Sequence, residues 1–217
     1  MTSRERLLAA SRSGEVDRKP TLAWMPGSFE ADARVIQDVS ELVDRDESGV
    51  VLADVPNPFG LALQRGIDLN KALKDDPSVG GSVLDGLVEE IRRKIAVSMD
   101  TGADGIFYRL HGATPKHCSP MQYGGHYLER DRELLDEVAD ANLNVLFVAG
   151  GEELYIDFVS DLPPQVFAWD SELSHVSADQ VRSSRLGAVA SGDPSSEILL
   201  VIGNVHYLEN LEQPHLG

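Results

Sequence analysis

Short apolar strands alternating with amphipathic helices predict an α/β fold built on a parallel sheet with right-handed crossovers. Two further observations agree. The strand segments are continuous apolar runs, such as Val50-Val51-Leu52-Ala53, which suits strands covered on both faces. The length, 217 residues, is at the short end for one (β/α) barrel and long for a simple two-layer domain.

The elements follow in order. Thr2 and Glu5 form a capping box that opens a first helix carrying Leu7 and Leu8. Asp17-Arg18-Lys19-Pro20 breaks the chain before a strand at Thr21–Trp24. A mixed helical segment is expected over about residues 30–43, and then the strand Val50-Val51-Leu52-Ala53, ended by Asp54 and the turn Pro56-Asn57-Pro58. The clearest helix carries Leu84, Leu87, Val88, Ile91, Ile95 and Met99 on one face and Glu89–Arg93 and Glu90–Lys94 pairs on the others. Gly102 ends it, and Gly105-Ile106-Phe107-Tyr108 is the next strand. A helix over 131–141, a strand at Val145–Val148, a helix after Gly150-Gly151, a strand at Val166–Trp169, a short helix capped by Ser177 and a strand within 187–191 complete the pattern. Residues 198–205 read equally as strand or helix. That makes six strands, or seven with the last segment.

Nineteen basic against 36 acidic residues give a net charge of −17, which argues against nucleic acid or an anionic membrane as partner. The single cysteine, Cys118, excludes an internal disulfide and suits a reducing compartment. Residues 1–6 contain no apolar run of signal-peptide type, and the apolar stretch 198–202 is far too short to span a bilayer. The expectation is one cytoplasmic domain over 1–217 with a small-molecule ligand, no membrane and no nucleic acid.

In parallel α/β folds the chemistry sits at the carboxyl ends of the strands. The residues following each run therefore supply the candidates: Tyr108, His111 and Glu152 as catalytic groups, and Asp54, Phe59, Arg109, Trp169 and Asp170 as substrate contacts. Of Tyr108 and Arg109, neighbours on one strand, one is expected to face the mouth. Tyr108 reads as well as packing as it does as a substrate contact, and Trp169-Asp170 carries the same alternative. Glu152 reads as a general acid or base at the mouth, or as a carboxylate complementing a helix dipole. His111, His117 and Cys118 share one loop, where a metal site is weighed against a plain polar surface loop. His-x₅-His-Cys is not a recurring ligand spacing, so no metal is expected.

Several segments resemble the uroporphyrinogen decarboxylase family: the opening Ser3-Arg4-Glu5-Arg6-Leu7-Leu8 with Asp17-Arg18-Lys19-Pro20, the stretch Thr101-Gly102-Ala103-Asp104-Gly105-Ile106-Phe107-Tyr108, and Ser119-Pro120-Met121-Gln122-Tyr123 running on to Asp131-Arg132-Glu133-Leu134-Leu135. The resemblance implies a (β/α) barrel and lyase or methyl-transfer chemistry. It also implies two departures. The stretch Trp24-Met25-Pro26-Gly27-Ser28-Phe29-Glu30 has no cation where the decarboxylase has its carboxylate-holding arginines, so uroporphyrinogen itself is not the expected substrate. Val148, Ala149 and Gly150 stand where the family's corrinoid methyltransferases place a zinc-binding His-x-Cys, so no cofactor is expected.

Against the family pattern the second and last βα units are missing, so an incomplete barrel of six to seven parallel strands is expected. Open edges invite pairing. The uncharged Ile198-Leu199-Leu200-Val201-Ile202 then suggests a homo-oligomer, most simply a twofold dimer. The alternative to an enzyme is a binding or interaction module that kept the scaffold and lost the site.

Overall fold

The computed structural model describes residues 1–24, 31–42, 49–151, 153–185 and 187–202. Parallel strands close into an eight-stranded barrel in chain order. They are β1 (Thr21–Trp24), β2 (Ala33–Ile36), β3 (Val50–Pro56), β4 (Gly105–Leu110), β5 (Val145–Val148), β6 (Val166–Trp169), β7 (Ala188–Ser191) and β8 (Ile198–Ile202). Closure runs through β1 and β8, with Thr21 beside Leu199 and Trp24 beside Ile202.

This corrects the expectation of an incomplete barrel. The unit read as missing is β2, which lies in the segment expected to be helical and is followed there by a 3₁₀ turn at Val39–Leu42. Its four residues include the exposed Arg34, which left too short an apolar run to read as a strand. Residues 198–202 form β8, paired on both sides by β7 and β1. Among the described residues no sheet edge is left to recruit a partner chain, and Leu200 points into the barrel core. The structural reason for expecting a dimer through that segment is gone.

Side-chain alternation divides the core into two layers. Leu22, Val50, Leu52, Phe107, Val145 and Phe147 fill the lumen. Val51, Val55, Ile106, Tyr108, Leu146 and Phe167 point outward, under the helices. The helices are α1 (Ser3–Ala10), α2 (Pro58–Gln64), α3 (Leu69–Asp75), α4 (Pro77–Asp100), α5 (Pro120–His126), α6 (Leu128–Asp136), α7 (Ile156–Val159), α8 (Ser171–Ser174) and α9 (Ala178–Ser184). The α4 stripe buries Leu84, Leu87, Val88, Ile91 and Ile95, as its periodicity requires.

Leu7 and Ala10 of α1 join the lumen cluster from the amino-terminal side of the strands. Asp32, just before β2, is buried there and accepts from Arg6 Nη1 (2.5 Å), from both Arg18 Nη atoms (2.7 and 2.9 Å) and from the Thr21 N–H (3.0 Å). Burial alone pushes the Asp32 carboxyl upward, yet the hydrogen bonds from Arg18, Thr21 and Arg6 bring it below its ordinary value. Among the described residues no helix is long and apolar enough to cross a membrane.

Candidate functional site

Inward-facing positions at the carboxyl ends of the strands build the barrel mouth. Along β4, Phe107 faces the lumen and Tyr108 the helices, so Arg109 faces inward again. On the neighbouring β3, Asp54, which lies beside Phe107 in the register, also faces inward. The guanidinium donates Nε to Asp54 Oδ1 at 2.5 Å and Nη2 to Oδ2 at 3.1 Å. Arg109 is 3% exposed and Asp54 5%, so the pair is desolvated and geometrically fixed.

An aromatic layer supports the pair. The Trp24 ring at the end of β1 lies 5.3 Å from Phe107 and 5.2 Å from Phe147 between centroids, and the Arg109 guanidinium carbon stands 5.6 Å from the indole centroid. Two donors in this layer, Arg109 Nη1 and Trp24 Nε1, are buried without a hydrogen-bond partner among the described residues. Lys94 of α4 feels both charges of the pair from outside the wall. Burial lowers its pKa, with Asp54 pulling the other way.

His111 follows β4 and is 5% exposed. Asn57, the N-cap of α2, holds it from both sides: Asn57 Oδ1 accepts the His111 N–H at 3.1 Å and Asn57 Nδ2 donates to the His111 carbonyl at 3.0 Å. Gly60 makes the approach possible, because a Cβ there would stand 2.7 Å from His111 Nδ1.

The other sequence candidates separate. Tyr108 points away from the mouth, with its hydroxyl donating to Asp131 Oδ1 at 2.8 Å. Trp169 is also buried in the outer layer, and its Nε1 donates to the Val176 carbonyl at 2.9 Å. Phe59 packs edge-on against Tyr127, with centroids 5.1 Å apart, under the loop that follows β4. Asp170 ends β6, and its Oδ1 caps α8 by accepting from the Glu172 and Leu173 N–H groups, both at 3.0 Å. Glu152 lies outside the described residues. The structure thus gathers Asp54, Arg109 and His111 on the strand ends, and commits Tyr108, Phe59 and Trp169 to packing.

The loop after β4 is buried at its start and at Cys118 and exposed at Pro115 and Lys116. His111, Ala113, Thr114 and Cys118 are all buried. Burial raises the Cys118 thiol above its ordinary pKa, against a hydrogen bond from Asn70, so it is not an activated thiolate. Among the described residues no group of three or more His, Cys, Asp or Glu side chains is placed to hold a metal ion.

Sequence reasoning missed a second polar centre. Asp131 of α6 is buried behind the barrel wall and accepts from Tyr108 Oη (2.8 Å), Tyr123 Oη (2.7 Å) and Asn57 Nδ2 (3.3 Å). Burial pushes its carboxyl up to about 6, against the pull of those hydrogen bonds. The available signal was position: Asp131 follows the buried Tyr127 by four residues and precedes Leu134 and Leu135, which puts a carboxylate in an apolar stripe. Trp24 was also missed as a mouth residue, although it ends the first strand.

No family model matches the sequence, and no curated protein matches it as a relative. Among solved structures the chain is similar to a methyltransferase from Methanosarcina mazei, with a TM-score of 0.71 and 11% identity, covering 98% of this chain and 96% of that one. At that identity the likeness is one of fold.

Proposed function

We propose that residues 1–217 act as one uroporphyrinogen decarboxylase-like (β/α) barrel domain, a cytoplasmic small-molecule enzyme of methyl-transfer or lyase type working at the barrel mouth. The observation that carries this reading is the Asp54–Arg109 pair, a rigid charged group held inside the lumen above an aromatic layer. A buried ion pair contributes little net stability relative to an apolar replacement, so its retention at the strand ends favours a role in binding. In this reading Arg109 orients the ligand, Asp54 fixes Arg109, and His111 with Glu152 supplies acid–base capacity. The likeness to a methyltransferase supports the methyl-transfer alternative by analogy of fold. Uroporphyrinogen is not the proposed substrate, because residues 24–30 offer no cation to its carboxylates.

A thermal-shift screen against porphyrinogens, corrinoids and small carbonyl compounds tests this. A ligand at about 100 times its Kd adds about 2.7 kcal/mol, which raises Tm by about 5–10 °C in a chain of this size. The shift is expected to vanish in the double variant Asp54→Asn/Arg109→Gln. Stabilisation that survives in that variant would place the ligand elsewhere and sink the proposal. A second reading, a non-catalytic binding module, is favoured by the commitment of Tyr108 and Trp169 to packing. It predicts a mouth ligand that binds and is never turned over.

A further inference from the structure

We infer that the mouth recognises an uncharged carbonyl oxygen, from an amide, ester or ketone, through Trp24 Nε1 and Arg109 Nη1. This deepens the proposed function and rests on the mouth being the ligand site.

A buried N–H without an acceptor forfeits the hydrogen bonds it made to water in the unfolded chain, and such groups are few in native proteins. Here two occur in one layer of one lumen, on side chains whose guanidinium carbon and indole centroid are 5.6 Å apart. The fold satisfies an indole where it uses one only for packing: Trp169 Nε1 finds the Val176 carbonyl at 2.9 Å. Arg185 Nε is also unpartnered, but it is a lone donor in the outer layer, where its other nitrogens hold the carbonyls of Ser160, Leu162 and Pro164.

The chemistry of the acceptor follows from Asp54. It takes Nε and Nη2 and cancels the charge of Arg109, so the remaining Nη1 offers directional hydrogen bonds with no net positive field behind them. A second carboxylate would be desolvated beside Asp54 with one guanidinium between the two, which leaves a net negative charge in the lumen. A neutral carbonyl oxygen accepts from both donors without that cost. Binding should therefore depend weakly on salt, since no net charge is neutralised.

The chain has two tryptophans, so the ¹⁵N-labelled protein carries its own control. Titrating acetamide is expected to move the Trp24 indole N–H resonance saturably while that of Trp169, already bonded, stays in place. Acetate at the same concentrations should move it several-fold less. Trp24→Phe assigns the signal and keeps the aromatic layer. The double variant Asp54→Asn/Arg109→Gln is expected to abolish the saturable shift, and its Trp169 resonance reports whether it remains folded. A Trp24 resonance that ignores acetamide would mean that the donors face only ordered water or are closed off, and would overturn the inference. So would a stronger response to acetate than to acetamide. Either failure is separable from failure of the proposed function, which is decided by whether screen ligands lose their effect in the double variant.

Discussion

Two buried carboxylates that hold arginines, Asp32 near the amino-terminal ends of the strands and Asp54 near the carboxyl ends, are finished differently. Near the amino-terminal ends, Asp32 accepts four hydrogen bonds, from Arg6, Arg18 and the Thr21 N–H, and ties α1, β1 and the start of β2 together. At the carboxyl ends, Asp54 and Arg109 hold each other but leave Nη1, and beside it the Trp24 indole, without an acceptor among the described residues. A saturated network does nothing further when a small molecule arrives, whereas an unsaturated one gains hydrogen bonds. Two buried carboxylates of similar chemistry thus mark one centre as a clasp and the other as a receptor.

Removing the acid of the clasp should have the largest effect. Asp32→Ala takes the acceptor from Arg6 Nη1, from both Arg18 Nη atoms and from the Thr21 N–H, leaving Arg6 to Asp17 and the Met1 carbonyl, and should cost about 3 kcal/mol, read as a lower urea midpoint at neutral pH. A midpoint within error of the parent would erase the distinction between the two centres.

Asp131 offers an intermediate case, a buried carboxylate held by hydroxyls and an amide in place of a cation. Its folded pKa, about 6, stands above the ordinary 3.8, so the folded state holds the proton more tightly than the unfolded chain. The stability it provides is complete below the unfolded value and is lost as pH rises through about 6. The loss should amount to about 2.4 kcal/mol between pH 4 and 7. Asp131→Asn should flatten that part of the urea-midpoint profile, and an unchanged slope would assign the titration to another group.

The smallest effect on stability is expected at the mouth. Asp54→Asn/Arg109→Gln replaces both charges together, so no buried ion is stranded, and the change should stay within about 1 kcal/mol. A loss as large as that of Asp32→Ala would make the mouth pair a clasp too.

The strands from β3 to β7 were legible because each is a compact apolar run between helices that bury one stripe. β2 was not, since it is four residues long and carries an exposed arginine. Heights along the barrel were legible as well: Asp54, Arg109 and His111 follow apolar runs and do lie at the carboxyl ends. Which way each side chain points was not. β4 is buried along its whole length, so no hydrophobic alternation separates the lumen face from the helix face. Tyr108 and Arg109 exchange roles on a shift of one residue. The Asp131 centre depends on contacts between Asn57, Tyr108 and α6 that no local pattern encodes.

The closure of β1 on β8 has a consequence for the order in which the molecule forms. Every other pairing joins strands that are consecutive in chain order, but Thr21 waits for Leu199. The loop closed by that pairing includes nearly all of the barrel, so the final seam carries the largest loop entropy and comes late. On the ribosome, β1 stays unpaired on one side until β8 has emerged, and nascent chains ending before Ile198 should leave its amides open to exchange.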